Sequence, residues 1–146
     1  MNRKQLQLEV CKALLDVNSR IIASELNEHE IAVTTTGFDA VVFDKNEIVF
    51  DASKIRKSDA LKDVLADSAK DEPIKTTKEL FRDYNRTIEK YEGETIEIYV
   101  DVSLAKKFGD YELYANSELG RILAKDRLGR IVGAFLPVNF HKEKKV

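Results

Sequence analysis

Tryptophan is absent from the 146 residues, and four other types are scarce: one cysteine, one methionine, two histidines and two prolines. The lone Cys11 excludes a disulfide within the chain and a thiolate metal cluster. Its setting in an apolar helical pattern suits a small core residue, and the missing disulfides point to a reducing compartment. No stretch approaches the roughly 18 apolar residues of a membrane span. Met1-Asn2-Arg3-Lys4 is followed by Gln5, Gln7, Glu9 and Lys12, not by the apolar run of a secretion signal. The chain is therefore read as cytoplasmic and away from membranes. Excess charge of one sign is also lacking: 24 Lys and Arg stand against 26 Asp and Glu, a net charge of −2. No global field draws in nucleic acid, so any DNA contact needs a local basic patch. There is no Gly-rich phosphate loop with its lysine, no paired-Cys motif and no His-Glu zinc helix. These absences disfavour the common enzyme classes and leave no expected cofactor or metal.

What is present is 43% hydrophobic and 34% charged residues, a composition suited to one domain with a self-sufficient core and a surface rich in ion pairs. Leu6, Val10, Ala13, Leu14 and Val17 share a helical stripe, which predicts an amphipathic helix over 3–17. Strands are expected at 21–23, 30–35, 38–43 and 47–50, with Thr36-Gly37 and Asp44-Lys45-Asn46 as turns. Ser58 as a cap, with Leu61, Val64 and Leu65 on a buried side, predicts a helix ending at Lys70–Pro73. Thr76 and Glu79 form a capping box ahead of Leu80, Phe81, Tyr84, Ile88 and Tyr91, whose three- and four-residue spacings predict another helix, stopped by Gly93. The charged linker between those helices is the expected mobile region.

Ile96, Ile98, Val100 and Val102 alternate with polar residues, as a half-buried strand does. Ser103 caps a short turn over 104–108, and strands follow at 111–115, 121–125 and 130–136 until Pro137. The expected fold is α+β: antiparallel sheet in two β-rich meanders, a pseudo-repeat of residues 1–56 and 95–140, packed against about three helices. Residues 1–140 form the expected single domain and 141–146 a flexible basic tail.

The run Ile98-Tyr99-Val100-Asp101-Val102-Ser103-Leu104, with Phe108-Gly109, Tyr111–Tyr114, Gly120–Leu123 and Ile131–Val138, resembles the terminal unit of DNA sliding clamps. With Val33–Phe38 it also resembles uncharacterised proteins of phages and mobile elements from Gram-positive bacteria. The resemblance implies a clamp-like arrangement of a strand, a short helix and three strands, and an accessory role. A clamp needs enough units to encircle duplex DNA, and basic helices facing it. This chain offers one two-unit domain, and its 58–70 segment carries Asp59, Asp63 and Asp67 against Lys62 and Lys70.

Three functional readings follow. The first is a non-enzymatic accessory protein acting through a protein partner or self-association, with Tyr99, Tyr111, Tyr114, Arg121 and Arg130 as its candidate surface; Phe81, Tyr84, Ile88 and Tyr91 are read as core or as a partner-binding face. The second is a DNA-associated module using Arg121, Arg127, Arg130, Lys142, Lys144 and Lys145. The third is a small hydrolase built on the strand-end carboxylates Asp39 or Asp101 with His29. Asp39, Asp44, Asp51 and Asp101 would suit a hard cation if folding gathered them, but their spacing does not demand it and they read as solvent-facing residues; His141 belongs to the solvated tail.

Overall fold

The computed structural model describes residues 1–16 and 20–140. Helix α1 spans Arg3–Leu15 and is fixed at its start by a reciprocal capping box. The Asn2 side chain accepts from the Gln5 N–H, and Gln5 Oε1 accepts from the Asn2 N–H, both at 2.9 Å. This satisfies two of the amides that a helix end leaves without partners. Leu6 and Val10 sink into the core; Val17 lies outside the described residues.

Among the described residues, ten strands form one mixed sheet: β1 (Ile22–Glu25), β2 (Glu30–Thr34), β3 (Asp39–Asp44), β4 (Arg56–Lys57), β5 (Glu72–Asp83), β6 (Arg86–Glu92), β7 (Glu97–Asp101), β8 (Glu112–Ala115), β9 (Ile122–Lys125) and β10 (Ile131–Phe135). Their order is β4-β1-β2-β3-β10-β9-β8-β5-β6-β7, antiparallel except where β4 runs parallel to β1. The 39–41 stretch of β3 pairs with 133–135 of β10, which joins the two ends of the chain in one sheet. A second helix, α2, covers only Val102–Ala105 and continues as a 3-10 turn to Phe108. Asp101 caps it, accepting from the Ser103 N–H at 2.9 Å, where the sequence suggested Ser103 as the cap.

The sheet is covered on both faces because its central strands alternate two apolar sets. Ile31, Val33, Val41, Phe43, Ile122 and Phe135 meet α1 and Phe108 on one side. Ala32, Ala40, Val42, Leu123 and Ala134 meet Leu61, Val64 and Leu65 on the other. Phe108 stacks on Phe135 with ring centroids 5.6 Å apart. That stack occupies the space above Gly133, where an added Cβ would lie 2.3 Å from the Phe108 ring and 2.6 Å from the Ala40 carbonyl oxygen.

The α+β expectation of about three helices packed against two β-rich meanders is overturned: the chain is mostly β, one ten-stranded mixed sheet with α-helices of 13 and 4 residues among the described residues. The 58–70 segment is a string of turns, although its Leu61, Val64 and Leu65 do face the core. Arg121 explains why, since its guanidinium takes the Val64 carbonyl at 3.1 Å and the Ala66 carbonyl at 2.9 Å, the acceptors a helix would need. The expected helix over 76–91 is the β5–β6 hairpin. Tertiary pairing overrides the helical spacing there, because β6 gains β7 as a second neighbour and Ile88 is fully buried. Thr76 Oγ1 donates to the Glu89 carboxylate across that hairpin instead of capping a helix. The expected strand at 47–50 is irregular, for the Gln7 side chain takes the place of a neighbouring strand: its amide donates to the Glu47 carbonyl and accepts from the Val49 N–H, both at 2.7 Å. No helix among the described residues is long and apolar enough to cross a membrane.

Candidate functional site

Strand β5 is 12 residues long, but only Glu72, Pro73 and Ile74 pair with β8. From Lys75 onward it leaves β8 and pairs only with β6, through a register shift between Thr76 and Leu80 where Lys78 has φ 68°. Thr76 Oγ1 accepts from the Lys78 N–H at 2.9 Å and holds this bulge. The outer part of β5 therefore projects as an arm backed by β6 and, as far as Ile88, by β7, with one edge unpaired among the described residues.

Which backbone groups line that edge follows from the turn. Asp83 and Arg86 pair across Tyr84-Asn85, a two-residue connection whose closing pair exchanges hydrogen bonds. Alternation then aims the groups of Leu80 and Arg82 away from β6. The Leu80 side chain is 61% exposed. Tyr84, at the tip, is 93% exposed with φ 54°, a backbone conformation that favours glycine.

At the fork between β5 and β8 lies a hollow of about 530 Å³ lined by Pro73, Ile74, Tyr91, Phe108, Tyr111 and Tyr114. Burial and the neighbouring Glu89 carboxylate push the Tyr91 hydroxyl above its ordinary pKa. Tyr114 is raised chiefly by the hydrogen bond it donates to Glu112 Oε2 at 2.8 Å. Both phenols stay neutral; Tyr91 packs with Phe108 and Tyr111 on one face of the sheet, whereas the Tyr114 ring packs against the apolar set on the other.

The sequence-derived surface is divided by this architecture. Tyr111 and Tyr114 reach the hollow. Tyr99 lies on β7, separated from β8 by β5 and β6, where its ring meets Phe81 at 5.8 Å and Phe140 at 5.3 Å. Arg121 is a correction: it is 2% exposed and lies inside the fold. It donates to Asp71 Oδ1 at 2.6 Å and Oδ2 at 3.0 Å. Burial alone would raise the Asp71 carboxyl, yet the bonds from Arg121, the Ser68 N–H and Asn116 hold it below its ordinary value. Of the basic set, Arg127 and Arg130 sit exposed around the β9–β10 turn, with Arg130 donating to Asp126 at 2.9 Å. Lys142, Lys144 and Lys145 lie outside the described residues, as does His141.

The hydrolase residues do not converge. Asp39 accepts from Lys107 at 2.5 Å and from Thr36 at 2.9 Å, at the start of β3. His29 is exposed at the other end of the β2–β3 pair, roughly 16 Å away at strand spacing. Asp101 caps α2 and Asp51 caps the 3-10 turn over 52–54. Asp44 accepts from the Asn46 N–H in the β3 exit turn. Among the described residues no group of three His, Cys, Asp or Glu side chains could hold a metal ion.

Comparison of the chain with protein-family models, curated proteins and solved structures finds no match. The sequence assigns Leu80 only to a helical stripe and gives Lys78 and Arg82 no role, because the 76–91 spacing predicts a helix there. The signal against that reading was the β-branched pair Thr76-Thr77 followed by the turn formers in Asp83-Tyr84-Asn85.

Proposed function

We propose that this protein is a non-enzymatic interaction module that receives an extended segment of a protein partner along the open edge of β5. The observation that supports this most directly is the mismatch of lengths: a 12-residue strand whose neighbour β8 has four residues and pairs with three of its own. Addition of a strand to a sheet edge takes its affinity from main-chain hydrogen bonds and its specificity from pockets for alternate side chains. Leu80 and Arg82 supply the first, and the tyrosine-lined hollow at the fork supplies the second. Tyr84 adds an exposed aromatic at the tip, in a conformation where glycine would be more stable; strain of this kind is retained where a side chain has work to do. The setting proposed is the cytoplasm, as an accessory protein of a phage or mobile element, which is what the resemblance of residues 98–138 implies.

The test is selection of short random displayed peptides on the full chain, followed by hydrogen exchange of the chain with one selected synthetic peptide. Slowed exchange at the Leu80 and Arg82 amides is expected, with binding lost in Leu80→Pro, which removes an outward N–H without touching the β5–β6 ladder. Protection confined to another surface, or undiminished binding by a Leu80→Pro protein of unchanged melting temperature, would sink the reading.

A further inference from the structure

We infer that the segment received by β5 is acidic, with carboxylates flanking an apolar residue, and that it belongs to a different protein and not to a second copy of this chain. The inference rests on the edge-addition reading and concerns which segment the edge selects.

Charge on the arm is distributed unevenly between paired and unpaired groups. Glu79 lies 3.6 Å from the Lys90 ammonium, and Asp83 lies 3.0 Å from Arg86. Glu89 accepts from Thr76. Glu79 and Asp83 are thus neutralised within the hairpin. Lys75, Lys78 and Arg82 are exposed and form no ion pair among the described residues; Arg82 only donates to the Thr87 hydroxyl at 3.0 Å. Lys75 has Glu92 directly opposite it in the ladder, so an incoming strand meets Lys78 and Arg82, the two exposed cations beside Leu80 that pair with no carboxylate among the described residues. Arg82 stands two residues beyond exposed Leu80 in regular strand register and Lys78 precedes it in the bulge, so a strand with an apolar residue opposite Leu80 runs between the two cations.

A second copy of the same edge meets the wrong charges. Residues whose backbone groups point outward pair only with residues that also point outward, which limits the antiparallel registers. Setting Leu80 against Leu80 of a second copy brings Lys78 opposite Arg82. Setting Leu80 against Arg82 brings Glu79 opposite Asp83. Of the registers on either side, one opposes Arg82 to Arg82, and the other opposes Glu79 to Glu79 while setting Lys75 opposite Asp83. Like charges directly opposite destabilise an antiparallel pair, so the register that would bring the two Leu80 side chains together is disfavoured for a second copy and stays open to an acidic strand.

The experiment compares peptides selected on the full chain, as synthetic peptides in calorimetry, with the same peptides carrying Lys for Glu and Asp, and with oligothymidylate. Acidic, apolar-centred sequences are expected, binding to the β5 edge. Each of Lys78→Glu and Arg82→Glu should weaken them roughly two- to fivefold, as exposed ion pairs do, and the double variant should instead favour the lysine-bearing versions. Both positions are exposed, so an unchanged melting temperature shows that the fold survives. Neutral or basic peptides that protect the Leu80 and Arg82 amides would overturn the acidic assignment and leave edge addition standing. Absence of any footprint on β5 would overturn both. Oligothymidylate outcompeting every peptide at that edge would replace the protein segment with nucleic acid, and dimerisation lost on Leu80→Pro would replace it with a second copy.

Discussion

The Arg121 guanidinium binds both carboxylate oxygens of Asp71, at 2.6 and 3.0 Å, in a pair whose side chains are 3% and 4% exposed. This bidentate contact ties the start of β9 to the end of the 58–71 turns, and the same arginine satisfies the Val64 and Ala66 carbonyls. Arg121→Ala leaves the buried Asp71 carboxylate without its counter-charge, held only by the Ser68 N–H and Asn116, and takes the guanidinium from the Val64 and Ala66 carbonyls. A loss of about 3–5 kcal/mol is expected, read as a fall in the denaturant midpoint. Hydrogen exchange should quicken first in 58–71.

The same pair sets an acid limit. Asp71 is held below its ordinary value of 3.8, so its contribution is fully present above that value and is lost as pH falls through the lower, folded value. Stability of the wild type should decline below about pH 4 more steeply than that of Asp71→Asn, which is less stable at neutral pH. Parallel slopes for the two proteins in urea titrations across this range would refute the assignment.

Gly133→Ala puts a methyl group into the Phe108 ring and the Ala40 carbonyl. Overpacking of this kind costs about 1–3 kcal/mol. Combining it with Phe108→Leu should recover part of that loss in a double-mutant cycle, since the shape of Leu leaves the Cβ more room.

Gln7→Leu removes the side-chain amide that pairs with Glu47 and Val49. Loss of about 1–3 kcal/mol is expected from the two backbone groups left without partners. The melting temperature measures it, and exchange at the Val49 amide should rise most.

Tyr84→Gly relieves the positive φ at the hairpin tip. Since that conformation costs an ordinary residue roughly 1–2 kcal/mol, and glycine gives some of it back as unfolded-chain entropy, the variant should melt at or slightly above the wild-type temperature. A clear fall would show that Tyr84 makes contacts that outweigh the strain.

Much of the β architecture was legible from alternation alone: residues 96–102, 111–115, 121–125 and 130–136 each contain a strand, and the helix its stripe places over 3–17 is found over Arg3–Leu15. Those elements have a period that only one secondary structure satisfies. The stripe Leu80, Phe81, Tyr84, Ile88 and Tyr91 satisfies two. As a helix it forms one face; as a hairpin it splits into buried Ile88, half-buried Phe81 and Tyr91, and exposed Leu80 and Tyr84.

The sequence by itself determined a single-cysteine chain with near-balanced charge, its first helix and most of its strands, because these depend on composition and on neighbours a few residues apart. Tertiary structure alone decided three things. It turned 58–71 into turns, because Arg121, some 55 residues along the chain from Ala66, claims that segment's carbonyls. It turned 76–91 into a hairpin, because β7 offers β6 a ladder that a helix cannot use. And it opened the edge of β5, because β8 is too short to follow that strand to its tip. Each outcome depends on hydrogen-bond partners distant in sequence, to which local periodicity is blind.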